Sequence, residues 1–281
     1  MMYALEARVH DPIFQLIEDL IPPPPEHPLG CHRRRVPNRV IFRALLIRLV
    51  TGASWETIEV LLDHAVSDTT LRTRRDEWMN SGLFQKLLVH ALASYHRVIG
   101  LDLTDLFIDG CNHRALQGGD ETGLDPKHPG KRGWKYVAAT DANGIPVAFA
   151  TAGANRNDYP LMWNVLDDLH ARDQLRLVNT FHADRGFNYP STPQRLADRY
   201  GLDDFRAPRR NDPHQGRVKR SPLGPRWKVE ATNSWLCNYG QLTRNTDRTP
   251  HHRNAALCLA IALLLVHRIT HPHHSTWRPI R

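Results

Sequence analysis

Phe-Ile-Asp-Gly-Cys-Asn-His, residues 107–113, is the stretch on which the reading of the chain turns. The apolar run Leu106, Phe107, Ile108 carries Asp109 to its end, and Gly110 interrupts the pattern directly afterwards. That is how a buried strand delivers a carboxylate to the rim of a sheet. Two more acids have a similarly marked setting: Asp184 in Thr-Phe-His-Ala-Asp-Arg-Gly-Phe, residues 180–187, and Glu230 in Arg-Trp-Lys-Val-Glu-Ala-Thr-Asn-Ser-Trp-Leu, residues 226–236. Three carboxylates on three separate elements of a basic chain suggest metal-assisted chemistry on a polyanion.

Around these acids the pattern predicts an α/β domain. Residues 134–140 and 145–152 read as two strands joined by Asp141-Ala142-Asn143-Gly144, whose Asn-Gly pair is a hairpin signal. Residues 158–170 fit an amphipathic helix, 175–181 a strand leading to Asp184, 193–200 a helix and 204–207 a short strand. Strand, hairpin, helix, strand, helix, strand indicates a mixed sheet. Residues 117–133 read as a polar loop. Asp141 is expected to serve the hairpin turn and Asp158 to cap a helix. His182 shares a strand face with Asp184, either as a supporting group for it or as a packed histidine.

Upstream, apolar spacing predicts helices at 11–20, 38–51, 55–62, 69–80 and 84–98, the first ended by the proline run 22–25 and the third capped by Ser54. The helix at 69–80 carries Arg72, Arg74 and Arg75. Short helix, turn, Arg-bearing helix is helix-turn-helix grammar, with Arg72 and Arg75 as candidate DNA contacts; the alternative is a helical bundle whose arginines are merely solvated. An all-α domain is expected over 1–100, a catalytic domain over 101–270 and a disordered tail over 271–281.

Residues 206–228 hold eight Lys/Arg against the single acid Asp212. Of these, Arg209, Arg210, Lys219, Arg220, Arg226 and Lys228 are candidate phosphate contacts on an exposed loop leading to Glu230. Residues 227–239 read as a helix, with Trp227 and Trp235 as aromatics that pack in the core or else stack on DNA. Residues 255–269 read as a buried closing helix whose twelve-residue apolar run, 255–266, is too short to span a bilayer.

The 281 residues carry a formal charge of +8, with a pI near 9.6. That balance favours a nucleic acid or anionic partner. The four cysteines form no C-x-x-C pair, so reduced thiols are the plain reading. The beginning of the chain has no apolar signal-peptide core, and the chain is expected to be cytoplasmic, without a membrane partner. It has no phosphate-loop motif, so no nucleotide cofactor is expected.

With these residues in view, the chain resembles bacterial insertion-sequence transposases of the DDE class, nearest to the group called IS five. The likeness is carried by the segments 107–110, 130–136, 140–146, 154–158, 183–187 and 226–236, in that order. It implies an RNase H-like mixed sheet flanked by helices, behind an all-α, helix-turn-helix-like N-terminal domain. It implies Asp109, Asp184 and Glu230 as catalytic residues and ligands of two Mg²⁺ ions, with Mn²⁺ as substitute. It also implies double-stranded DNA as substrate, a homodimer as active complex, and nucleoid association when bound. Arg226, four positions before Glu230, matches the family's R-x-x-x-E element. The fuller signature has Tyr and Lys where this chain has Leu223 and Cys237, and often Arg where it has Ala231. Competing readings are an RNase H-like nuclease without strand transfer and a decayed or domesticated DNA-binding copy.

Overall fold

The structure is a computed structural model describing residues 5–24, 35–208 and 227–271. Two compact units emerge, one of residues 1–98 with 236–281 and the other of residues 99–235.

The first unit begins with helices α1 (Ala7–Glu18), α2 (Asn38–Thr51), α3 (Trp55–Leu61), α4 (Asp68–Asn80) and α5 (Leu83–Val98). Ser54 caps α3, its hydroxyl accepting from the Thr57 N–H at 3.1 Å, and Ser67 caps α4 in the same way at 3.3 Å. Each satisfies one of the amide groups that a helix start leaves without an internal partner.

The second unit is built on a mixed sheet: β1 (Asp105–Ala115), β2 (Gly123–Leu124), β3 (Arg132–Thr140), β4 (Pro146–Gly153), β5 (Thr180–His182) and β6 (Asp204–Arg206). Five strands lie in the order β4-β3-β1-β5-β6, and the two-residue β2 pairs with the start of β3. β3 runs antiparallel to β1 and β4, while β5 and β6 continue beside β1 in parallel, which is the mixed sheet expected. Helix α6 (Asp158–Ala171) covers β3 and β4 with Leu161, Met162, Val165, Leu166 and Leu169, and α7 (Thr192–Tyr200) and α8 (Trp227–Leu236) follow.

Three expectations change. β1 does not stop at Gly110 but runs on to Ala115, Gly110 pairing with Val137 of β3. The glycine answers a close approach: a Cβ there would stand 2.7 Å from the Asp158 carboxylate. The stretch 175–181 is not one strand, since Leu175–Leu177 forms a 3-10 turn before β5. Trp227 is 40% exposed and so is not a core residue.

The last elements, α9 (Gly240–Thr243) and α10 (Pro250–Thr270), group with the first unit. α10 packs on α5 and α1. It is 21 residues long and, by length and composition alone, could cross a membrane, yet every side chain from Ala255 to Val266 is buried. Gly52, in the left-handed conformation that ends α2, lies against α9, where a Cβ would meet the Gly240 carbonyl at 2.9 Å. A buried network closes this unit: Arg48 donates to Asp247 at 2.9 Å, and Gln241 donates to the other carboxylate oxygen at 2.7 Å.

Candidate active site

Asp109 lies on the central strand, and Asp184 follows the strand beside it. The parallel register pairs Asp105 with Thr180, Leu106 with Phe181 and Phe107 with His182. Extending it by two residues brings Asp109 level with Asp184, across a strand spacing of about 4.8 Å. The rings of Phe107 and His182 stack at 4.5 Å, so both side chains stand on one face. Alternation then puts Asp109 and Asp184 on that same face.

α8 brings the third acid. The side-chain amide of Asn233 donates to Oδ2 of Asp109 at 3.0 Å. Glu230 precedes Asn233 by three residues, so the two are neighbours on one side of α8. Glu230 is exposed, whereas Val229, Ala231 and Thr232 are fully buried and anchor the other side of α8. Ala231, where the family often has arginine, therefore faces packing. α8 is seated on the β3–β4 hairpin: the Thr232 hydroxyl donates to the Gly144 carbonyl, and a Cβ at Gly144 would come within 2.9 Å of the Lys228 carbonyl oxygen.

The surroundings hold these elements in place. His182 is a packed side chain, bonded through Nε2 to Asp105 at 2.6 Å and stacked on Phe107. Asp141 serves the hairpin turn as expected, accepting from the backbone N–H groups of Asn143 and Ile145 at 2.8 Å and of Asp102 at 3.1 Å. Its burial pushes the carboxyl up to about 6 against those three donors. Asp158 is not the cap of α6. Asn157 is, and Asp158 instead accepts from the buried Lys135 ammonium at 2.7 Å. By alternation that pair and Gly110 occupy the sheet face opposite Asp109.

Asp184 accepts from the Gly186 N–H. Neither Asp184 nor Glu230 is in an ion pair among the described residues. Converging carboxylates repel one another unless a cation lies between them, and oxygen-only donors suit a hard divalent ion. The chemistry of the three carboxylates, oxygen donors only, suits such an ion.

Of the candidate DNA contacts, Lys228 has its ammonium 6.0 Å from the centre of the Phe107 ring. Arg209, Arg210, Lys219, Arg220 and Arg226 lie outside the described residues. On α4, Arg72 is engaged by Glu56 and by Asp68, the latter at 3.0 Å. Arg75 is turned inward, its side chain 12% exposed between Asp76, Asp247 and the Trp55 ring. It is no free phosphate contact, because its charge is already matched inside the unit. Sequence reasoning missed Asn233, Thr232 and Gly144. The three-residue spacing of Glu230 and Asn233 on a helix was a signal for the first; nothing local marks the hairpin as the seat of α8.

Residues 9–88 match the family model described as "Putative transposase of IS4/5 family", and residues 101–265 match "Transposase DDE domain". The chain is 31% identical over 155 residues to a "Putative transposase for insertion sequence element IS402" of Burkholderia cepacia, covering 52% of this chain and 69% of that protein. It is 29% identical over 119 residues to an "Insertion element IS402 uncharacterized 16.2 kDa protein" of the same organism, covering 42% and 80%. Among solved structures it resembles a Mos1 transposase paired-end complex with left transposon end, at 12% identity and a TM-score of 0.34 over 88% of this chain and 79% of that one, a likeness too loose to bear weight. On the strength of the two family models, which together span most of its length, the chain belongs to the DDE-domain transposases of bacterial insertion sequences.

Proposed function

We propose that Asp109, Asp184 and Glu230 are the catalytic carboxylates of this transposase and hold two Mg²⁺ ions, replaceable by Mn²⁺, over a phosphodiester of double-stranded DNA. The observation that carries this reading is the parallel register of β1 and β5, which ends at Phe107 and His182, two residues before Asp109 and Asp184, with α8 tied to Asp109 through Asn233. Membership of the family brings dependence on a divalent metal. Such ions, when bound, make an attacking oxygen more acidic and stabilise the departing one. The three side chains orient both oxygens in line about the phosphorus, Asp109 and Asp184 from the rigid sheet and Glu230 from the helix over it.

In the first step a water oxygen bonds to phosphorus and the P–O3′ bond breaks, leaving a 3′-hydroxyl and a 5′-phosphate. In the second, that 3′-hydroxyl attacks a target phosphodiester and releases a target 3′-hydroxyl. Atoms and charge balance in both without a nucleotide. Arg226, Lys228, Arg209, Arg210, Lys219 and Arg220 supply phosphate contacts on the approach to Glu230, and the active complex is a homodimer on the element's inverted-repeat ends. The test is a joining reaction with pre-cut end oligonucleotides, a supercoiled target plasmid, and Mg²⁺ or EDTA. Metal-dependent joined product supports strand transfer. Plasmid nicking without joining would reassign the chain to plain nucleases.

A further inference from the structure

Asn233 sits in mid-helix, 8% exposed, on the face of α8 that meets Asp109. Asparagine is a poor helix former away from caps, so its position there calls for a contact that outweighs the propensity. Its Nδ2 donates to Asp109 Oδ2 at 3.0 Å. That orientation follows from chemistry, since an ionised carboxylate only accepts. The other end of the same amide, Oδ1, is buried and has no partner among the described residues. Its neighbour Thr232 behaves differently, its hydroxyl satisfied by the carbonyls of Gly144 and Lys228. A buried acceptor with no donor weakens a fold, and Asn233 is therefore either a defect or an acceptor kept for something that arrives.

We propose that Asn233 is a positioning residue of the metal site. Its N–H fixes the rotation of the Asp109 carboxylate. Its free Oδ1 accepts from a water that Mg²⁺ or Mn²⁺ retains on binding, as such ions commonly keep several. This rests on the reading of Asp109 as a ligand. Groups that orient ligands in this way typically alter metal affinity or activity by about 10- to 100-fold when removed.

The full chain without DNA is titrated with Mn²⁺, and free Mn²⁺ is followed by electron paramagnetic resonance. Wild type is compared with Asn233→Ala, Asn233→Leu and Asp109→Ala, with melting temperatures taken in parallel. Asn233→Leu fills the amide's volume, so it carries the comparison should the alanine variant unfold. The expected result is that both Asn233 variants raise the Mn²⁺ dissociation constant about tenfold. The Mg²⁺ concentration for half-maximal plasmid cleavage should rise with it, and saturating metal should restore their cleavage but not that of Asp109→Ala. If Asn233→Leu binds Mn²⁺ as wild type does while Asp109→Ala does not, the role of Asn233 is overturned and Asp109 remains a ligand. If Asp109→Ala also binds as wild type does, the metal-site reading falls first and takes Asn233 with it.

Discussion

Gly144 lies so close to α8 that a Cβ on it would stand 2.9 Å from the carbonyl oxygen of Lys228, two residues before Glu230. Its φ of +77° is also one that side-chain-bearing residues adopt only at a cost. The hairpin turn therefore acts as the seat of α8. Gly144→Ala should shift α8 and cut cleavage by about 10²-fold, the scale expected when a reacting group moves by about 1 Å. Circular dichroism should remain near wild type. Unchanged cleavage would show that α8 tolerates the displacement.

Gly110 makes a second close approach, to the Asp158 carboxylate that Lys135 holds at 2.7 Å. Gly110→Ala alone should destabilise by about 1–3 kcal/mol, as overpacking does. Asp158→Ala removes the obstructing group but leaves Lys135 buried without its partner, so it too should destabilise. The two losses should be less than additive in the double variant, because the clash is gone there. Denaturant midpoints of the four proteins measure this, and strict additivity would refute the contact.

In the helical unit, Asp247 is almost fully buried and faces Arg48 and Gln241. Burial pushes its carboxyl up, but the Arg48 charge, these hydrogen bonds and Arg75 outweigh it and hold the carboxyl below the usual range. Asp247→Ala strands the Arg48 guanidinium and should cost about 3–5 kcal/mol of unfolding free energy. Calorimetry of the variant provides the check, and a loss under 1 kcal/mol would mean that water replaces the carboxylate.

Asp141 has the opposite sign. Its folded value of about 6 lies above the usual carboxylate range, so the folded chain holds a proton that the unfolded chain releases. Stability from this group is fully present below about pH 4 and is lost as pH rises through 6. At roughly 1.36 kcal/mol per unit the loss is on the order of 3 kcal/mol. Unfolding curves between pH 4 and 7 should show this slope in wild type and lack it in Asp141→Asn. Parallel slopes would remove Asp141 as the titrating group.

Much of the site was legible in the sequence because strand and turn chemistry are local. The run ending in Asp109, the Asn-Gly hairpin and the serine caps of α3 and α4 each follow from a few adjacent residues. What escaped depends on partners distant in the chain. Gly110 reads as a strand end until Asp158, 48 residues on, occupies the place of its Cβ. Arg75 reads as a DNA contact until Trp55, Asp76 and Asp247 enclose it. Asn233 is polar and mid-helix, and only the Asp109 contact gives it meaning.

The central claim is that Asp109, Asp184 and Glu230 form one metal-dependent site. Its most direct test is cleavage of a supercoiled plasmid carrying the element's ends, with Mg²⁺, Mn²⁺ or EDTA, by wild type and by the alanine variant of each acid. The account predicts cuts at the ends that require metal and disappear in all three variants, while binding to end DNA persists in gel-shift assays. Wild-type cleavage in any one variant would remove that residue from the site, and cleavage in EDTA would contradict the metal mechanism altogether.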